Sequence, residues 1–260
     1  MLTNLFISPL VLSTALLINA TPIYKRDVGP LFGPSGIPSP DDIEQHHLDC
    51  GYVASMMTLT DRAPLYVKSL ISFDEGADIN SIEQVTATCW TLPKDEEGVK
   101  SEIRKTQLNV GDVRHRNDSK TDIWWPGALY QAPIHQGIVT DPRGEGGMPS
   151  LAPGVAMTMI TGKRAEGKQP KDLEDFWQII LKVNDSPMVL QTKAEGCTTL
   201  WGAHAYAITK ATEDVTKGRM VDLINTNGKR EHLKAQQVFD DTVLLVNWVD
   251  YPSFVDERAP

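Results

Sequence analysis

The stretch QHHLDCGYVASMMTL, residues 45–59, sets one thiol, Cys50, between an acidic residue and a glycine, just ahead of an apolar run. Val53, Met56, Met57 and Thr60 recur at helical spacing, so a helix is expected over GYVASMMTLTDR, with Asp49 as N-cap and Cys50 in the first turn. A thiol there feels the positive end of the helix macrodipole and the free N–H groups of the first turn, which favour the thiolate. Cys50 is therefore a candidate nucleophile, although a disulfide half or an inert core thiol fits the stretch as well. Nucleophilic catalysis also needs a general base within hydrogen-bond reach and a third group that orients the base.

Outward from this helix the chain changes character in stages. Upstream, DVGPLFGPSGIPSP (27–40) is too rich in Pro and Gly for a helix or central strand, and reads as an arm wrapped over the body or a lead-in. Downstream comes a second short helix, APLYVKSLI, and then a polar, mixed region from about 72 to 122 with a strand-like piece, EQVTATCWTL. DIWWPGALYQAPIHQG reads as a helix that tolerates Pro126 near its start. The Gly- and Pro-rich TDPRGEGGMPSLAPG that follows is a lobe boundary or a surface loop. From 188 onward MVLQTK, AHAYAITKA, RMVDLINT and TVLLVNWV are short, apolar and alternating, each bounded by turn residues, so the C-terminal half reads as antiparallel β structure.

At the N-terminus, the apolar run from Leu5 to Ile18 ends in small residues around Ala20 and reads as a secretory leader spanning 1–20, although residues 1–4 carry no Lys or Arg. Lys25-Arg26 resembles the dibasic site at which fungal and other eukaryotic secretory pathways trim a pro-segment, here 21–26. No later segment reaches the roughly 18 apolar residues that a membrane span needs. The net charge of −9 becomes more negative still without Lys25 and Arg26, which argues against nucleic acid or an anionic membrane surface as partner. Asn117-Asp118-Ser119 is a glycosylation sequon; Asn184-Asp185-Ser186 also fits, but Pro187 follows it. In an oxidising compartment three cysteines, Cys50, Cys89 and Cys197, leave one thiol over.

Among six histidines, His46 and His47 lie too near Cys50 in sequence to face it easily, and read as loop residues or a metal-ligand pair. His115 and His232 lie in charged stretches and His135 at a helix end. His204 opens the strand-like HAYAITKA, which the loop TEDVTKG joins to RMVDLINTNG. An antiparallel pair joined there would bring Asn225 beside His204, and an amide next to an imidazole fixes its tautomer and orientation.

The order Cys, His, Asn, with a helix-borne Cys followed by a β-borne His and Asn, is similar to that of papain-like cysteine proteases. Three stretches resemble the calpain-type branch: LDCGYVASMMTLT its nucleophile segment, DIWWPGALYQAPIHQG its Trp-led helix, and GAHAYAITKA with DLINTNG its His and Asn segments. The resemblance implies an α+β, papain-like two-lobed fold, with lobes of about 27–145 and 146–260 in a catalytic domain of 27–260. It implies Cys50 as nucleophile, His204 as general base, Asn225 as orienting amide and Gln45 as oxyanion donor, acting on a protein or peptide substrate. The chain departs from the pattern at four points. Glu44 stands six residues before the Cys where the family has its Gln, Gly51 stands for a Trp after the Cys, Ala203 for the Gly before the His, and Asn227 for a Trp two after the Asn.

With Cys50 taken as the thiolate, Cys89 and Cys197 are expected as a disulfide between the lobes, worth about 2–4 kcal/mol; two unlinked buried thiols are the alternative. Animal calpains depend on calcium, so the resemblance leaves calcium open; no EF-hand-type loop is present, and no other cofactor and no metal ligand is assigned. Beside a secreted cysteine endopeptidase, two readings stand: a transglutaminase-like acyltransferase using the same residues, and an inactive secreted effector or binding protein with the same fold.

Overall fold

The computed structural model describes residues 29–93, 101–113, 122–140 and 147–251. The expected leader (1–20), the pro-segment (21–26) and the Asn117 sequon lie outside the described residues. Helix α1 (Cys50–Arg62) is buried from Gly51 through Thr60, which accounts for the absence of charge before Asp61. The hydroxyls of Ser55, Thr58 and Thr60 are satisfied inside the helix or across its contacts. Ser55 Oγ donates to Gly51 O at 2.7 Å and Thr60 Oγ1 to Met56 O at 2.7 Å. Thr58 Oγ1 donates to Ile208 O at 3.3 Å and accepts from the N–H of Met188 at 3.0 Å, joining α1 to the sheet beneath it.

Helix α2 (Pro64–Ser69) and a three-stranded antiparallel sheet follow, ordered β1 (Ile71–Ser72), β2 (Gln84–Trp90), β3 (Ile103–Asn109). After a single turn, α3 (Val110–Val113), come α4 (Trp125–His135) and α5 (Pro153–Thr161). Pro126 sits in the first turn of α4, where its missing N–H has no partner to lose. Helix α5 stops at Gly162, whose φ of 68° suits glycine and whose bare Cα lets the Trp90 ring approach. Helix α5 lies beyond the lobe boundary expected at 145/146, yet it packs on α1 and β2.

The second sheet is six-stranded and antiparallel, in the order β4 (Ala165–Lys168), β9 (Thr242–Trp248), β5 (Met188–Thr192), β6 (Ala205–Asp214), β7 (Gly218–Asn225), β8 (Arg230–Lys234). Helices α6 (Leu173–Ile180) and α7 (Ala235–Asp241) cover one face and α1 the other. Side chains alternate between these faces: Val189, Ala205, Ala207, Ile224 and Val246 share a core with α1, while Leu190, Tyr206, Ile208, Leu223 and Leu245 share one with Phe176, Trp177 and Val238. The strands are thus buried on both faces and carry apolar residues at successive positions, where the sequence reading expected alternation. The fold is thus α+β with antiparallel sheets.

The arm before α1 is wrapped over the body. Leu31 and Phe32 are fully buried, Leu31 N–H donates to Ile79 O, and Trp125 N–H donates to Leu31 O. Buried Asp42 accepts from Trp125 Nε1 at 2.8 Å, and exposed Asp41 pairs with Arg230 of β8 at 2.8 Å. The expected Cys89–Cys197 disulfide is not present: both thiols are free. Cys89 is buried on β2 in the three-stranded sheet, where desolvation pushes its thiol up to about 12. Cys197 belongs to the β5–β6 loop of the other sheet, where its sulfur lies 3.4 Å from Lys193 O.

Candidate active site

The β6–β7 hairpin sets the first half of the site. Asp214 Oδ1 accepts from Thr216 N–H, Thr216 Oγ1 and Lys217 N–H, and Gly218 supplies the positive φ that closes the turn. Pairing then runs from Asp214↔Gly218 to Lys210↔Asp222, skips Thr209, and resumes at Ile208↔Leu223. This bulge sets Asn225 opposite Tyr206. Uninterrupted pairing would have set it opposite Ala207, with its side chain on the other face of the sheet. As it stands, Asn225 Oδ1 lies 3.0 Å from His204 Nε2, and Asn225 Nδ2 lies 3.4 Å from Tyr206 Oη. The N–H of Asn227 points at the same Asn225 oxygen, at 3.4 Å, which fixes the orientation of the amide.

His204 itself precedes β6, and its backbone is clamped by Thr192 of β5: His204 N–H donates to Thr192 Oγ1 at 2.9 Å and Thr192 N–H to His204 O at 2.9 Å. Ala203, where the calpain-type pattern has Gly, takes a φ of 50°, the one positive φ of a non-glycine among the described residues. The loop before it is stapled by the buried Asp241, whose carboxylate accepts from the N–H groups of Thr198, Thr199 and Leu200 at 2.8–2.9 Å. Burial alone would raise the Asp241 carboxyl; those N–H groups and Lys193 hold it below its ordinary value. The staple presents Trp201, 57% exposed, with its ring centroid 5.3 Å from that of His204; on the other side the Tyr206 ring meets His204 edge-on at 5.0 Å. Trp201 thus stands by the imidazole although Asn227 replaces the Trp of the family pattern. Burial lowers the pKa of His204, and the Asn225 hydrogen bond opposes that shift.

Cys50 is half-buried at the N-terminus of α1, and the N–H groups of Ala205, Gly51 and Cys50 itself favour its thiolate. The net direction differs from the sequence expectation: desolvation dominates, the adjacent Asp49 adds to it, and the thiol lies above its ordinary range. Asp49 occupies the N-cap position, but its side chain does not cap the helix. Its carboxylate instead accepts from Tyr130 Oη of α4, which in turn accepts from Met148 N–H. Gly51 explains the missing Trp: a Cβ there would lie 2.1 Å from Leu151 O, so the backbone at Leu151 and Pro153 fills that space.

Gln45 N–H donates to Thr226 O at 2.8 Å. Its side-chain Nε2 donates to His47 O, and its Oε1 accepts from Thr226 Oγ1. That hydroxyl also lies 3.0 Å from His204 Nε2. One hydrogen of Gln45 Nε2 therefore has a partner within its own loop. His47 stacks on Tyr130, ring centroids 6.0 Å apart. Among the described residues no group of three or more His, Cys, Asp or Glu side chains converges as a metal site, and no helix is long and apolar enough to cross a membrane.

The structure therefore joins Asn225 to His204 directly, and joins Gln45 to His204 through Thr226. The N–H of Ala205, the residue after His204, is among the groups that favour the Cys50 thiolate. Sequence reasoning missed Thr226, Tyr206 and Asp241. Tyr206 follows His204 by two, so strand alternation offers a signal for it; Thr226 lies just past the end of β7 and Asp241 arrives from α7, and neither has such a signal. No protein-family model matches the chain, and no curated protein matches it in sequence.

Proposed function

We propose that the chain is a secreted, calpain-like cysteine endopeptidase with a papain-like two-lobed arrangement, acting through Cys50, His204 and Asn225. The observation that carries this reading is the ring of His204. Its Nε2 faces Asn225 Oδ1 at 3.0 Å, so Nδ1 is the nitrogen left for a proton from Cys50, whose thiolate the N–H of the neighbouring Ala205 favours. In the proposed reaction His204 Nδ1 takes the thiol proton as Cys50 Sγ bonds to a peptide carbonyl carbon. The tetrahedral oxyanion is met by the Cys50 N–H, which as the first helical residue has no intrahelical partner, and by the second hydrogen of Gln45 Nε2. His204 then gives its proton to the leaving amine as the C–N bond breaks, and the thioester remains. A water molecule, deprotonated by the same imidazole, attacks the thioester to release the acid and restore the thiol.

One observation favours a second reading. Burial and Asp49 keep the Cys50 thiol above its ordinary range, as in a binding protein that retains the fold without the chemistry. Alkylation of the mature chain by iodoacetamide or an epoxide at pH 6, with a peptide-library digest alongside, separates the two. The protease reading expects labelling of Cys50 that falls at least about tenfold in His204→Ala, together with peptide cleavage lost in Cys50→Ala. Labelling no faster than that of a free thiol, unchanged by His204→Ala and without cleavage, overturns it.

A further inference from the structure

We infer that Thr226, clamped by Gln45, is a positioning residue that holds His204 in its Nε2–H tautomer independently of Asn225. The inference deepens the protease reading and rests on it for its functional meaning, but not for its structural test. The hydrogen-bond directions around Thr226 follow one from another. His47 O can only accept, so the Gln45 atom bonded to it is the nitrogen, and the other end of the amide is its oxygen. That oxygen can only accept, so the single hydrogen of Thr226 Oγ1 goes to it. With its hydrogen spent, Thr226 Oγ1 can meet His204 Nε2, at 3.0 Å, only as an acceptor. Nε2 must then carry the hydrogen, shared between Thr226 Oγ1 and Asn225 Oδ1, which lies equally close. The polarity of a backbone carbonyl at His47 thus reaches the imidazole through two side chains and leaves Nδ1 bare.

Burial makes this constraint firm. Thr226 and Asn225 are each about 1% exposed, so water does not replace either acceptor without cost. The Gln45 backbone N–H on Thr226 O, at 2.8 Å, holds the two residues together a second time. Gln45 therefore has a task beyond any contact with an oxyanion: it decides which way the Thr226 hydroxyl points. Thr226 Oγ1 also keeps accepting the Nε2–H hydrogen bond when Nδ1 takes up a proton, since its oxygen keeps a lone pair toward Nε2 in both protonation states.

The test reads the tautomer directly, by ring nitrogen resonances of the 15N-histidine-labelled chain above the His204 titration, with His204→Gln giving the assignment. Wild type is expected to show a pyrrole-type Nε2 and a pyridine-type Nδ1. Asn225→Ala is expected to keep that pattern because Thr226 still accepts. The double variant Asn225→Ala with Thr226→Val, which keeps the shape and loses the hydroxyl, is expected to mix the two tautomers; Thr226→Ser in place of Thr226→Val restores one. Mixing already in Asn225→Ala, or an unmixed Nε2–H form in the double variant, overturns the inference. Thr226→Val alone is expected to slow Cys50 alkylation at pH 6 about fivefold, the equilibrium worth of one hydrogen bond, with rescue by Thr226→Ser. If wild-type Cys50 alkylates as a free thiol, the protease reading fails while the nitrogen resonances still decide the tautomer.

Discussion

Ala203 sits one residue before the imidazole with its backbone in the left-handed region, where an L side chain crowds its own carbonyl. Such a conformation costs on the order of 1–3 kcal/mol for a non-glycine residue and persists where the surroundings over-determine it. Here they do: Ala203 N–H donates to Lys193 O at 2.7 Å, and a Cβ on Gly202 would lie 2.8 Å from Ala194 O, so the loop has one path across β5. Ala203→Gly is expected to stabilise the fold by about 1 kcal/mol, the relieved strain exceeding the added entropy of the unfolded glycine. Urea unfolding of the two proteins measures the difference, and a midpoint that falls on substitution contradicts it. Cys50 alkylation in the same variant shows whether the strain also holds His204 in position.

At the scale of elements, the start of α1 and the segment at Leu151 and Pro153 are fitted to one another at Gly51. A methyl group there meets backbone, not a flexible side-chain end, so Gly51→Ala is expected to destabilise by about 3 kcal/mol, and guanidinium unfolding with an unchanged m-value would display it. A loss below about 0.5 kcal/mol would mean that the segment yields freely. Helix α1, helix α4 and the four main strands were legible in the sequence because each is fixed by its own periodicity and punctuation. The pairing of His204 with Asn225 was legible because one short loop separates their strands. What the sequence hid is non-local. Nothing in HAYAITKA marks Thr209 as the residue that the ladder skips, yet without that skip Asn225 faces away. Asp49 looked like a cap because a helix followed it, while its buried partner, Tyr130, comes from a helix far along the chain. A cysteine count likewise says nothing of which sheet each thiol occupies, and Cys89 and Cys197 are on different ones.

Over the whole molecule, the displaced titrations bracket a stability plateau. His204 has a lowered folded pKa, so it contributes stability above its ordinary value of 6.5 that is lost as pH falls through the folded value. Asp241, also lowered, contributes above 3.8 and is lost further down, loosening the loop that carries Trp201 and Ala203. The raised thiols act with the opposite sign. Cys89 stays protonated to about 12 when folded but ionises near 9.0 when unfolded, so stability present below 9.0 drains away as pH rises toward 12. The urea midpoint is therefore expected to be flat between about pH 7 and 8.5 and to fall on either side, with a shallower alkaline slope in Cys89→Ala. An alkaline slope identical in the two proteins would assign that loss elsewhere. A last consequence follows from the distribution of the six indoles. Trp90, Trp124, Trp125, Trp177 and Trp248 are buried, and Trp201 alone is in water, with its ring against His204. The chain therefore carries its own optical reporter: the quenchable part of its intrinsic fluorescence arises at the imidazole and follows the charge and occupancy of that spot, while the rest reports the core.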